Sequence, residues 1–163
     1  MNLSHINPDS NQPQMVNVIG KKRTHRFAIA ESTVFLGRSI MDTLEDGEIR
    51  TAKGPVFQTA IIAGTQAVKK TSELIPFCHP LALDGIDFNI TPLDGESVRI
   101  ACRVEMEGKT GVEMEALTGA GIAALTLYDM CKALSGEIEI SRTRLMEKSG
   151  GKCDFRRSSD REQ

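Results

Sequence analysis

Polar and apolar residues alternate most clearly over residues 23–35, where Phe27, Ile29 and Val34 stand among polar neighbours. This period of two predicts a long strand. Residues 37–46 place Ile40, Met41 and Leu44 at helical spacing and predict a short helix ended near Gly47. Pro55 opens a second helix running to about residue 74, because a proline loses nothing in the first turn, where its missing N–H is not needed. Ala60, Ile61, Ala63, Gly64, Ala67 and Val68 give that helix a closely packing face, and Pro76 stops it. Residues 81–90 and 97–106 alternate as two strands joined by the turn residues Pro92, Asp94 and Gly95. Residues 113–134 form the longest helical candidate, and residues 137–146 a last strand. With the two early helices taken as one layer, the order is βα(α)ββαβ. That is an α+β, ferredoxin-like split βαβ: an antiparallel sheet with helices on one face. Residues 1–14 are expected to form a flexible arm, residues 15–152 a single catalytic domain, and residues 153–163 a mobile tail.

Composition narrows the picture. A chain of 163 residues fits one domain, and its net charge of −2 gives no global reason to expect nucleic acid or an anionic membrane as partner. No apolar run approaches the roughly 20 residues that span a bilayer, and the first residues lack the layout of a signal peptide. A soluble, cytoplasmic protein is expected. The four cysteines, Cys78, Cys102, Cys131 and Cys153, are spaced 24, 29 and 22 residues apart. No Cys-x-x-Cys occurs, so no metal site is expected and the thiols read as reduced, mostly in or near the core.

Candidate chemistry concentrates at residues 108–132. Asp129 and Lys132, three apart on an otherwise apolar helix, share a face and suit an acid/base pair in a pocket. The same spacing also describes a surface ion pair worth ~0.2–0.5 kcal/mol. Gly119 and Gly121 each cost about 1 kcal/mol relative to alanine within a helix, which argues that something approaches the backbone closely. Glu113 and Glu115 sit where the helix dipole favours acids in any case. A nucleotide-binding loop at Gly108-Lys109-Thr110 fails, because Arg103 holds the position of its first glycine. Fourteen residues of straight helix separate Glu115 from Asp129 by about 21 Å, too far to touch one reacting centre. Either the two ends serve a long substrate, or the glutamates complete a neighbouring subunit's pocket; the second is favoured. His79, pinned between Phe77-Cys78 and Pro80, suits proton transfer or phosphate binding and equally a plain turn. Lys53 precedes Gly54-Pro55 at a helix start, where phosphate is attracted, although a solvated loop lysine has the same signature.

These segments together resemble one family. Lys69-Lys70-Thr71-Ser72-Glu73-Leu74-Ile75-Pro76 with Cys78-His79-Pro80-Leu81 is similar to its histidine-loop motif. Gly108-Lys109-Thr110-Gly111-Val112-Glu113-Met114-Glu115-Ala116-Leu117-Thr118 is similar to its most distinctive motif, continued by Tyr128-Asp129-Met130-Cys131-Lys132-Ala133. Glu147-Lys148-Ser149-Gly150-Gly151-Lys152 and Met15-Val16-Asn17-Val18 resemble its terminal signatures. The family is that of the cyclic pyranopterin monophosphate synthases of molybdenum-cofactor assembly. The resemblance implies a phosphorus–oxygen lyase acting on (8S)-3′,8-cyclo-7,8-dihydroguanosine 5′-triphosphate, with diphosphate released and magnesium at most accompanying the triphosphate. It implies a homohexamer, a trimer of dimers, with sites at dimer interfaces. It further implies Lys53, Asp129 and Lys132 as catalytic residues. His79, Cys78, Glu113, Met114 and Glu115 would line the pocket, with Arg26, Lys69 and Lys148 toward the triphosphate or purine. Pro55 is a departure, since the family usually has aspartate after Lys-Gly.

Two other classes compete. An RNA-binding module on this fold needs aromatic residues for stacking, but the chain has six Phe, one Tyr and no Trp, and lacks the basic aromatic strand motif. A non-catalytic scaffold has no use for Lys53, His79, Asp129 and Lys132 together.

Overall fold

The computed structural model describes residues 6–7 and 10–158. The central strand is β1, Thr24–Phe35, which pairs antiparallel with β5, Ser97–Gly108, on one side and β6, Glu139–Ser149, on the other. Strand β4, Gly85–Pro92, lies outside β5, and the two-residue β7, Phe155–Arg156, lies outside β6. The order is β4-β5-β1-β6-β7, with every pairing antiparallel. Its first four strands are the split βαβ arrangement that the order of elements predicts. Within the stretch expected as a loose tail, Phe155 pairs with Lys148 and Arg156 with Glu147; residues 159–163 lie outside the described residues. Of the expected arm, residues 1–5, 8 and 9 lie outside them too, while Ile6 and Pro13 form an isolated bridge.

Alternation decides which face is buried. Ala28, Ala30, Ser32 and Val34 of β1 and Val98, Ile100, Cys102, Val104 and Met106 of β5 all point to the core. Helices α2, Val56–Lys69, and α4, Glu113–Cys131, cover that face. The opposite face carries charged pairs such as Arg99 with Glu31 at 3.7 Å. Where α2 crosses α4 the backbones meet: a Cβ on Gly119 would lie 2.5 Å from Val68 and 2.8 Å from the Cys102 sulfur. Gly119 thus has the close neighbour expected of it, whereas Gly121 faces open space.

Element ends differ from expectation for identifiable reasons. The first helix is only α1, Arg38–Met41, because Asp46 and Gly47 take positive φ and a turn from Glu45 to Glu48 uses up the remaining residues. The second helix breaks at Lys70, then resumes for one turn as α3, Thr71–Leu74. The Thr71 hydroxyl adds a donor to the Ala67 and Val68 carbonyls, which the backbone amides at the helix end also reach. Residues 81–84 precede β4 rather than joining it, and Leu81 and Leu83 pack on the core from the loop. A two-stranded ribbon, β2 (Arg50–Thr51) and β3 (Gly54–Pro55), was not legible in the hydrophobic pattern.

Candidate active site

Helix α4 carries chemistry at both ends, and in one chain the ends remain separate. At its C-terminal end Lys53, at the tip of the β2–β3 ribbon, donates from Nζ to Asp129 Oδ2 and to the Asp129 main-chain carbonyl, each at 2.7 Å. Lys132, the C-cap residue, reaches the other carboxylate oxygen, Oδ1, at 2.7 Å. An aspartate is poorly placed by the dipole at a helix C-terminus, and two ammonium groups offset that. Hydrogen bonds from Lys132 and then Lys53 hold the Asp129 carboxyl down at about 2. The same bond raises the Lys132 ammonium above its ordinary value, which favours its charged form.

At the N-terminal end, Glu113, Met114 and Glu115 line a cleft of roughly 360 Å³ with Cys78 and His79. Glu115 is 4% exposed. Burial, then the nearby Glu113 charge, pushes its carboxyl up to about 7, and burial followed by Glu115 raises the Cys78 thiol. His79 Nε2 donates to the Val16 carbonyl at 2.8 Å, since a carbonyl can only accept. Residues 15–21 therefore form one wall, with Val16 and Val18 turned inward.

The cleft continues into a second hollow through Lys21, Thr110, Gly111 and Glu113, which line both. This hollow is strongly cationic: Lys21, Arg26, Lys109, Lys148 and Lys152 surround it. Glu113 pairs with Lys148 at 2.9 Å, leaving a large positive excess that suits a polyphosphate. Gly150, at φ 86°, lets the chain turn there, and a Cβ on it would collide with the His25 carbonyl. That turn lays Gly151 against the Arg26 guanidinium. Lys69, with Thr65 and Asp84, lines a neighbouring hollow that shares Leu81 with the His79–Glu115 cleft and meets it through a narrow crevice. Lys109 and Lys152 entered the sequence reading only within motifs, without a site role, and Lys21 not at all; lysines in polar loops carry no periodic signal.

The sequence profile of the MoaC family matches residues 15–151. The chain belongs to the MoaC family. It is 51% identical over 153 residues to the cyclic pyranopterin monophosphate synthase of Xanthomonas campestris pv. campestris (strain 8004), covering 94% of this chain and 92% of that protein. The Helicobacter pylori (strain HPAG1) protein of the same name is 45% identical, covering 93% and 95%. The molybdenum cofactor biosynthesis bifunctional protein of Synechocystis is 51% identical over 93% of this chain and 45% of its own length. Apart from Lys152, the residues named at both ends of α4 lie within the matched stretch.

Proposed function

We infer that the chain is a cyclic pyranopterin monophosphate synthase, converting (8S)-3′,8-cyclo-7,8-dihydroguanosine 5′-triphosphate to cyclic pyranopterin monophosphate and diphosphate. The observation that carries this most directly is the cleft that joins His79 and Glu115 to a lysine-lined hollow. One part suits a purine-derived ring and the other its triphosphate. Closing the cyclic phosphate requires a substrate hydroxyl oxygen to attack the α-phosphorus. The bond from phosphorus to the α–β bridging oxygen breaks, and diphosphate leaves with that electron pair. The hydroxyl proton must be removed, and negative charge on the leaving group must be neutralised. Lys21, Arg26, Lys109 and Lys148 would neutralise the phosphates, with magnesium at most travelling with the triphosphate and no resident cofactor. Glu115, titrating near neutrality, could relay protons in ring opening and closure, while Lys132 and Lys53, oriented by Asp129, would donate them.

We further propose that the reacting centre forms between subunits of a homohexamer, a trimer of dimers, in the cytoplasm where nucleotide triphosphates are made. Asp129 and Glu115, about 21 Å apart along α4, would then belong to different pockets of the same subunit. The outer face of α4 and the turn after it support association: Leu125 is 55% exposed, and Tyr128 and, beyond the helix, Leu134 are also exposed. Incubating the purified protein with the cyclised nucleotide should release one diphosphate per pterin formed. Substrate bound tightly without diphosphate release would overturn the assignment in favour of a non-catalytic scaffold.

A further inference from the structure

Helix α2 begins without a cap of its own. Its N-cap residue is Pro55, at φ −72° and ψ 126°, and no side chain at that position bonds the first turn. The opening amides of a helix have no partner within it, so they must find one elsewhere. Val56 N–H donates to the Ile49 carbonyl at 2.9 Å. The next two amides are taken by Glu48: Phe57 N–H donates to Oε1 at 2.7 Å and Gln58 N–H to Oε2 at 3.1 Å. Oε1 also accepts from Ile49 N–H at 2.9 Å. Glu48 is only 8% exposed, one of few buried acidic groups among the described residues.

The position of these amides matters more than their capping. The β2–β3 ribbon leaves the core at Ile49 and returns at Val56, and its tip is Ala52-Lys53. Ile49 stands at one foot; Phe57 and Gln58 stand just beyond the other. One carboxyl group therefore ties both feet together. The ribbon has only two residue pairs, Arg50 with Pro55 and Thr51 with Gly54, far below what holds a hairpin by itself. Yet Lys53 must be placed closely enough for Nζ to meet two oxygens of Asp129 at 2.7 Å. Within the tip itself Lys53 N–H meets the Thr51 hydroxyl at 3.2 Å.

We propose that Glu48 is the positioning residue for Lys53, stapling the feet of the ribbon to the start of α2 so that its tip reaches Asp129. This rests on the reading of Lys53 as catalytic, but its structural half is measurable without turnover. The backbone at position 55 already has the extended conformation of an N-cap, so an aspartate there could accept from the second or third helical amide, Phe57 or Gln58.

The test compares Glu48→Ala, Glu48→Gln and the double variant Glu48→Ala with Pro55→Asp in the full chain. Titration of the Asp129 carboxyl by NMR reports directly whether Lys53 still reaches it. In Glu48→Ala the value should move up toward the ordinary carboxylate range and kcat should fall about tenfold or more, as a misplacement near 1 Å can produce. KM should change much less. Adding Pro55→Asp should return both readings part of the way, and Glu48→Gln should lie between. A native Asp129 titration with native kcat in Glu48→Ala overturns the proposal, as does a kcat loss with the Asp129 titration unmoved. Should Glu48→Ala fail to fold, Glu48→Gln decides by the same two readings. If the native chain releases no diphosphate, the function fails while the titration still tests the staple.

Discussion

Lys53 and Asp129, 76 residues apart in sequence, are joined by two hydrogen bonds of 2.7 Å, one to the side chain and one to the main chain. The main-chain bond gives Lys53 a second anchor, while the carboxylate spans both lysines, Oδ2 to Lys53 and Oδ1 to Lys132. Asp129→Asn, which removes the charge that orients both lysines, should therefore lower kcat by about 100-fold, the scale that misplacing a reacting group produces. The unfolding midpoint should barely move, because all three side chains are well exposed and such pairs add little stability. Diphosphate release and thermal melts of the same preparation check both halves.

Separation of the two ends of α4 makes a stronger prediction. Asp129→Asn and Glu115→Gln should each be nearly inactive alone. Co-expressed or unfolded and refolded together, they should regain activity. With random mixing, roughly a quarter of interface sites would take an intact Glu115 end from one subunit and an intact Asp129 end from the other. Recovery near zero would place both ends in one chain's site and remove the case for a shared pocket.

The sheet was legible because alternation is local: residues 23–35 announce β1 without reference to any partner. The Asp129–Lys132 pair was legible for the same reason, being one helical turn apart. Lys53 could be tied to them only through the family resemblance, since its contact is long-range. Glu48 and Lys21 left no trace at all. Each owes its place to a loop folded onto a distant element, and a glutamate in Asp46-Gly47-Glu48 reads like any turn acid. Helix lengths were overestimated where a positive-φ turn or a threonine hydroxyl intervened, details that apolar spacing does not encode.

Glu115 should make stability depend on pH in an unusual direction. Its carboxyl in the folded chain titrates at about 7, above the ordinary 4.5, because of burial first and Glu113 second. The folded state thus binds its proton more tightly than the unfolded one. Stability is full below pH 4.5, falls as pH rises through about 7, and is level beyond. Glu115→Gln removes that loss and should stabilise the chain at pH 8 by up to about 3 kcal/mol, with no difference at pH 4. Urea unfolding at the two pH values measures it. The kcat/KM of the native chain should show a limb near pH 7.

Lys21 lies where the cleft meets the cationic hollow. A bound phosphate there would gain a charge-assisted hydrogen bond, worth about 1.5–3 kcal/mol, or roughly tenfold or more in affinity. Lys21→Met should raise KM by about tenfold while leaving kcat within about twofold, since one of several phosphate-binding cations is lost and no proton-transfer group is. Binding of inorganic triphosphate should weaken in parallel and lose part of its salt dependence. Lys69→Met, in the neighbouring hollow, should change triphosphate binding little.

Two glycines in one helix should respond oppositely to the same substitution. Gly119→Ala puts a methyl 2.5 Å from Val68 and 2.8 Å from the Cys102 sulfur, in the closely packed crossing of α2 and α4. Neither neighbour can retreat without moving buried backbone, so about 1–3 kcal/mol of stability should be lost. Gly121→Ala meets nothing within 4 Å. There the helix gains alanine's propensity and the unfolded chain loses freedom, a stabilisation of about 0.5–1 kcal/mol. Both are measured by denaturant midpoints at constant m-value. Equal destabilisation of the two would mean that the face bearing Gly121 is packed against something as closely as Gly119 is, and in a chain of this kind that neighbour would be another subunit.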